Sequence, residues 1–233
     1  LFMGAFFLAI AVERWNLHKR IALFILSKTG TNGSHLIAGF MLVAALLSMW
    51  MTNTSTTMML LPISISVVQV LMDNVDNLGE KQRKDFQAAM LLSLAYGATI
   101  GGLATLIGTP PNALLAAFLA EHYDIHLDFV SWMAVGLPVS AIMLPLAWLT
   151  QTKLSFKVDI QANESVKAHL SKLRKELGPM SAAEKRVAVI FLLVVCAWMT
   201  RGLLMSTFGF SGLSDAGIVM AAALLLFLLP SKS

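Results

Sequence analysis

Between two apolar runs the chain places six consecutive hydroxyl or amide side chains, Thr52, Asn53, Thr54, Ser55, Thr56 and Thr57, with Ser48 just upstream. Their neutral oxygens are hard donors suited to a cation such as sodium, and the free amides that open a helix suit an anion. Ser48 and Thr52 are four apart and would share a helix face, setting two hydroxyls beside the unpaired carbonyls of a helix end. Asn53 can offer its carbonyl to a cation and its NH2 to a carboxylate. A second polar interruption, Gly108, Thr109, Pro110, Pro111 and Asn112, falls within another apolar stretch. Neither interruption contains His, Lys, Asp or Glu, so neither supplies a nucleophile with a base, which weighs against an intramembrane enzyme. A plainer reading stays open for each. Membrane hydroxyls bond back to the carbonyl four residues earlier, and a proline kink can be purely structural.

The elements that must position these residues are set by composition. With 57% hydrophobic and 13% charged residues, and a mean hydropathy of +0.75, the chain is expected to be an all-α polytopic membrane protein. The run from Phe129 to Thr150 is the clearest span. The lone cysteine, Cys196, sits in an apolar run and reads as a small filler. The arms flanking the first polar run, Leu36 to Met51 and Met58 to Met72, have 16 and 15 residues. At ~24 Å each they fall short of the ~30 Å hydrocarbon core, which favours a re-entrant helical hairpin; two short tilted spans remain the alternative. Residues 87–120 would make one helix of ~51 Å, so a broken transmembrane helix is expected, interrupted at Gly108 to Asn112. Gly97, Gly101 and Gly102 form a small-residue face for close helix packing.

Basic residues orient the chain. Arg14, Lys19, Arg20 and Lys28 mark one segment, and Lys81, Arg83 and Lys84 the next, on the same cytoplasmic side. The hairpin between them goes in and returns. The segment Glu121 to Asp128 has no Lys or Arg and is placed outside, as is 207–214; 151–186 carries eight Lys or Arg and is placed in the cytoplasm, with KAHLSKLRKEL as a surface helix and Lys157 among its charges. Lys232, after the last span, repeats the pattern. Arg201 and Asp215 read as end-of-span residues that snorkel, and His122 with His126 as a surface pair rather than metal ligands. The chain starts inside an apolar run without the charged region of a signal peptide, and is expected to be an excerpt of a longer protein.

LHKRIALFILSKTG, FMLVAALLSMWMTNTSTTMMLLP and ATIGGLATLIGTPPN resemble the first half of the divalent anion:sodium symporter (DASS) family, the INDY-type dicarboxylate and citrate carriers. The resemblance implies a hairpin tip with a Ser-Asn-Thr signature and a broken helix with a Gly-Thr-Pro-Pro-Asn loop. Carried over, Ser48, Thr52, Asn53 and Gly108 would surround a sodium ion, and Asn53, Thr54, Thr109 and Pro110 would form the substrate side, with Asn112 shaping the broken helix. Here the signature is Thr52-Asn53-Thr54, so a methyl group is added beside the ion.

The resemblance further implies the first half of an inverted-repeat transporter. Residues 1–33 would be the end of a scaffold helix and a cytoplasmic amphipathic arm, and 34–72 the hairpin. Residues 73–128 would be a cytoplasmic connection and the broken helix, 129–150 a transmembrane helix, 151–186 a cytoplasmic loop, and 187–233 the first helices of the second repeat. The expected function is sodium-coupled symport of C4-dicarboxylates or related di- and tricarboxylates by an elevator-type mechanism, in the bacterial plasma membrane, with no nucleic-acid partner, as a homodimer that requires the missing second repeat. A carboxylate exchanger or sulfate carrier of the same fold stays open, as does an intramembrane enzyme or non-transporting assembly subunit.

Overall fold

Four helices, in two consecutive pairs, turn their ends toward one another at two interruptions of the chain. The computed structural model describes residues 1–30, 32–74, 79–156, 158, 160, 164–208 and 214–229. Helices α1 (Phe2–Arg14) and α2 (Leu17–Leu26) lead into α3 (Gly33–Ser48) and α4 (Asn53–Asn74), which flank the first polar run. Helix α5 (Glu80–Leu103) and α6 (Pro110–Tyr123) flank the break, followed by α7 (Phe129–Leu149), a π-helical turn (Thr150–Ser155), α8 (Glu164–Glu176), α9 (Ala182–Phe208) and α10 (Asp215–Leu228). Asn16, at φ 56, supplies the left-handed step that separates α1 from α2. The expected outside turn 207–214 lies largely outside the described residues, as do Lys157 and Lys232.

Among the described residues, four helices are long and apolar enough to cross a bilayer: Asn53–Asn74, Glu80–Leu103, Phe129–Ser155 and Ala182–Met205. The helix after the first polar run, at 22 residues, is therefore longer than the 15 expected for that arm. It gains its extra turn because Asn53 to Thr57 are helical, capped by Thr52, whose hydroxyl oxygen accepts the Ser55 N–H at 3.2 Å. The helix break also shifts. Helix α5 ends at Leu103 and the irregular segment is 104–109, while Pro110 and Pro111 open α6. Proline fits there because the first amides of a helix have no internal partner to lose.

One core joins α2, α3, α4, α5 and α8, with Leu36, Phe40, Leu60, Phe86 and Leu94 at its centre. Helix α8 is more than a solvated basic face: Val166 and Leu170 enter that core, and Ser66 of α4 meets His169 Nε2 at 2.6 Å. A second core joins α1, α9, α10, Phe129 and the break residues Leu106 and Ile107. Ser181 and Glu184 form a capping box on α9, and Arg20 grips the Glu184 carboxylate with two donors, tying α2 to that helix.

Two end-of-span residues do not snorkel apart. Arg201 Nη1 donates to Asp215 Oδ1 at 2.7 Å, and Asp215 Oδ2 accepts the Phe129 N–H at 2.9 Å. The aspartate thus joins the start of α10 to α9 and α7. Cys196 is exposed on α9 and fills no core gap. Helix α6 ends at Tyr123, so His122 and His126 are not on one helical face. His122 stacks on Phe118 and His126 meets Asp124, each with its own partner.

Asp128 caps α7, accepting the Ser131 N–H at 2.8 Å. Burial opposes its ionisation, but the Ser131 hydrogen bonds and the Arg201 charge outweigh that and hold its pKa below the ordinary value. A lowered carboxyl pKa stabilises the fold above the unfolded-state pKa and ceases to do so as pH falls through the folded one. Asp128→Ala should cost about 1 kcal/mol at neutral pH, the usual worth of an N-cap. Thermal unfolding of both proteins checks this, and their difference should close in acid.

Candidate cation and anion site at two helix breaks

Packing between α3 and α5 determines where the breaks meet. A Cβ added to Gly97 would lie 2.4 Å from the Met41 carbonyl oxygen, and one on Gly101 would lie 2.2 Å from that of Ala45. Backbones this close carry the end of α3 to the end of α5. One residue on, Gly102 belongs to the site rather than the seam: a Cβ there would lie 2.5 Å from Asn53 Oδ1 and 3.4 Å from the Gly108 oxygen. A Cβ on Gly108 would lie 2.9 Å from the Ser48 oxygen.

Ser48, Asn53 and Gly108 are thereby brought together. Ser48 donates its hydroxyl to Asn53 Oδ1 at 2.5 Å. The other site residues named from the sequence sit at the margins. Thr52 is half-buried and spends one lone pair on its cap; Thr54 is exposed at the start of α4. Thr109 is half-buried in extended backbone as the N-cap of α6, and Pro110 is exposed. Thr52 and Pro110 both line a cavity of about 360 Å³ whose far wall is α1. Of the remaining hydroxyls, Thr57 bonds back to the Asn53 carbonyl at 2.8 Å, as the plainer reading requires, whereas the buried Thr56 hydroxyl has no partner among the described residues.

Two residues that tie the breaks together escaped the sequence reading in that role. Thr105 donates its hydroxyl to the Met49 carbonyl at 2.5 Å. Asn112 donates from Nδ2 to the carbonyls of Gly102 and Thr105, each at 2.8 Å. Asn112 therefore caps the end of α5, satisfying carbonyls that the helix leaves unpaired. The only sequence signal for Thr105 was a polar residue in an apolar run.

The arrangement brings two helix C-termini, α3 and α5, and two N-termini, α4 and α6, to one place. Partial negative charge and carbonyl oxygens gather at the former, partial positive charge and amides at the latter. Ser48, Asn53 and the neighbouring carbonyls supply neutral oxygen donors only, a set that fits a hard monovalent cation. Among the described residues no group of three His, Cys, Asp or Glu could hold a metal ion. Trp50, between α3 and α4, stacks on Phe129 and meets Phe191 edge-on, joining the site to α7 and α9.

Comparison with known proteins agrees in kind. Residues 1–231 match the family described as the sodium:sulfate symporter transmembrane region. The chain is 35% identical over 235 residues to the sodium-dependent dicarboxylate transporter SdcS of Staphylococcus aureus (strain USA300). It is 37% identical over 236 residues to the protein of the same name from Staphylococcus saprophyticus. All of this chain is covered, against 45% of each relative, so it spans about half the length of the curated relatives it matches. With bacterial relatives and several apolar helices, it is a multi-pass protein of the bacterial plasma membrane. The match across nearly its whole length establishes that the chain belongs to the sodium:sulfate symporter family, the group its two interrupted helices had resembled.

Proposed function

We propose that the full-length protein carries C4-dicarboxylates or related di- and tricarboxylates into the cell together with sodium. The observation that carries this reading is the meeting of two helix breaks, free of ionisable side chains, with Ser48 bonded to Asn53 and Gly108 beside the Ser48 carbonyl. Sodium would bind at the carbonyl ends of α3 and α5 with Ser48, Thr52, Asn53 and Gly108. A substrate carboxylate would bind at the amide ends of α4 and α6, with Asn53, Thr54, Thr109 and Pro110.

Coupling follows from charge. A doubly negative substrate is costly to move through hydrocarbon, and a cation bound beside it offsets that charge. Inward sodium movement down its gradient, aided by the membrane potential, then drives accumulation. Residues 34–72 and 73–128 would travel as a re-entrant hairpin and broken helix past a scaffold formed by 1–33 and 187–233, with α2 as a cytoplasmic arm. A second, inverted repeat would complete the site, and the protein would work as a homodimer.

The test is initial uptake of labelled succinate by the full-length protein in sodium and in choline buffer. Uptake should require sodium; equal rates in the two buffers would remove the coupling. The family description supports a second reading, sulfate as substrate. Under it, excess sulfate would abolish succinate uptake or itself be taken up.

A further inference from the structure

Hydroxyls in membrane helices ordinarily satisfy themselves on their own helix, four residues back. Thr105 does otherwise. It lies within the break, has 0% exposure, and donates to the carbonyl of Met49, which caps α3 in the other break. Its own carbonyl is held by Asn112 from the first turn of α6. A polar thread thus runs from α6 through Thr105 to the residue after Ser48. Three residues beyond Thr105, Gly108 faces the Ser48 carbonyl oxygen.

The geometry points to Thr105 as the positioning residue of the cation site: its hydroxyl, through Met49, fixes the last turn of α3 so that Ser48 and Asn53 face Gly108. This rests on the sodium reading above, with the Thr105 hydroxyl acting through the Met49 carbonyl to which it donates. Without the hydroxyl, the Met49 carbonyl is left buried and unpaired, and the peptide next to Ser48 is free to rotate. Oxygen donors displaced from a preset arrangement cost ion affinity more than they cost translocation of the loaded carrier.

The experiment measures initial succinate uptake against external sodium in proteoliposomes holding the full-length protein, as native, Thr105→Val and Thr105→Ser. Valine keeps the shape and removes the donor; serine keeps the donor. Thr105→Val should raise the sodium concentration for half-maximal uptake about tenfold, the worth of one buried hydrogen bond, with the rate at saturating sodium little changed. Thr105→Ser should keep the native value. The proposal is overturned if valine leaves sodium half-saturation unchanged, if serine is as impaired as valine, or if only the maximal rate falls. Should valine reconstitute poorly, the sodium-induced rise in melting midpoint of the purified variants serves as the readout: a rise preserved in valine overturns the proposal, and one lost in valine but kept in serine supports it. Sodium-independent uptake by the native protein would overturn both readings, whereas sodium dependence with an unshifted valine variant would overturn only the role of Thr105.

Discussion

Replacing Asn53 with alanine in the full-length protein should abolish sodium-stimulated uptake while leaving a folded, membrane-inserted product. Asn53 opens α4, accepts the Ser48 hydroxyl, and lies against Gly102, where even a methyl group would meet its Oδ1 at 2.5 Å. Its carboxamide offers both an acceptor for a cation and donors for a carboxylate. Alanine deletes both and leaves Ser48 without its acceptor, yet it is a good helix former, so α4 itself should persist. Losing hydrogen bonds to charged partners on two ligands at ~1.5–3 kcal/mol each predicts at least a hundredfold fall in uptake. The measurement is labelled-succinate uptake normalised to the amount of protein in the membrane, with melting midpoint as the control for folding. An Asn53→Ala carrier with native sodium dependence would remove this site from the transport pathway.

The two breaks were legible in the sequence because a bilayer leaves little choice: a run of polar side chains in an apolar segment, or a pair of prolines, marks backbone that a continuous helix cannot contain. Their exact form was not. The second arm was counted from Met58, although its free amides were expected near Thr54 or Ser55; Thr52 satisfies the Ser55 amide and lets the helix begin at Asn53. Pro110 and Pro111 looked like the break itself, whereas their missing amides cost nothing at the start of α6 and the unwound residues precede them. Contacts between distant residues were harder still. Nothing near Arg201 or Asp215 announces their ion pair, and nothing near Thr105 announces Met49, 56 residues upstream. Gly102 illustrates the limit: it shares its composition with Gly97 and Gly101, but one residue of rotation on α5 turns it from the seam to the site.

That seam carries the last expectation, that Gly101→Ala is among the most damaging single-methyl additions in the chain. The added Cβ would lie 2.2 Å from the Ala45 oxygen, 2.3 Å from its Cα and 2.6 Å from its carbonyl carbon. All three are backbone atoms, so no side chain can rotate away, and relief requires α3 and α5 to separate. Gly97 makes the same approach one turn earlier, so the separation would open the seam along its length. Overpacking of this kind costs about 3 kcal/mol or more where the neighbours are rigid. The same displacement would draw Ser48 away from Gly108, so uptake should fall with stability. Gly202→Ala is the control, since a Cβ there meets nothing within 4 Å and alanine improves helix propensity. Melting midpoints and uptake of the two full-length variants should therefore diverge, with Gly202→Ala close to native and Gly101→Ala strongly impaired. Equal behaviour would mean that α3 and α5 do not touch backbone to backbone, and the two breaks would then lack the packing that holds them face to face.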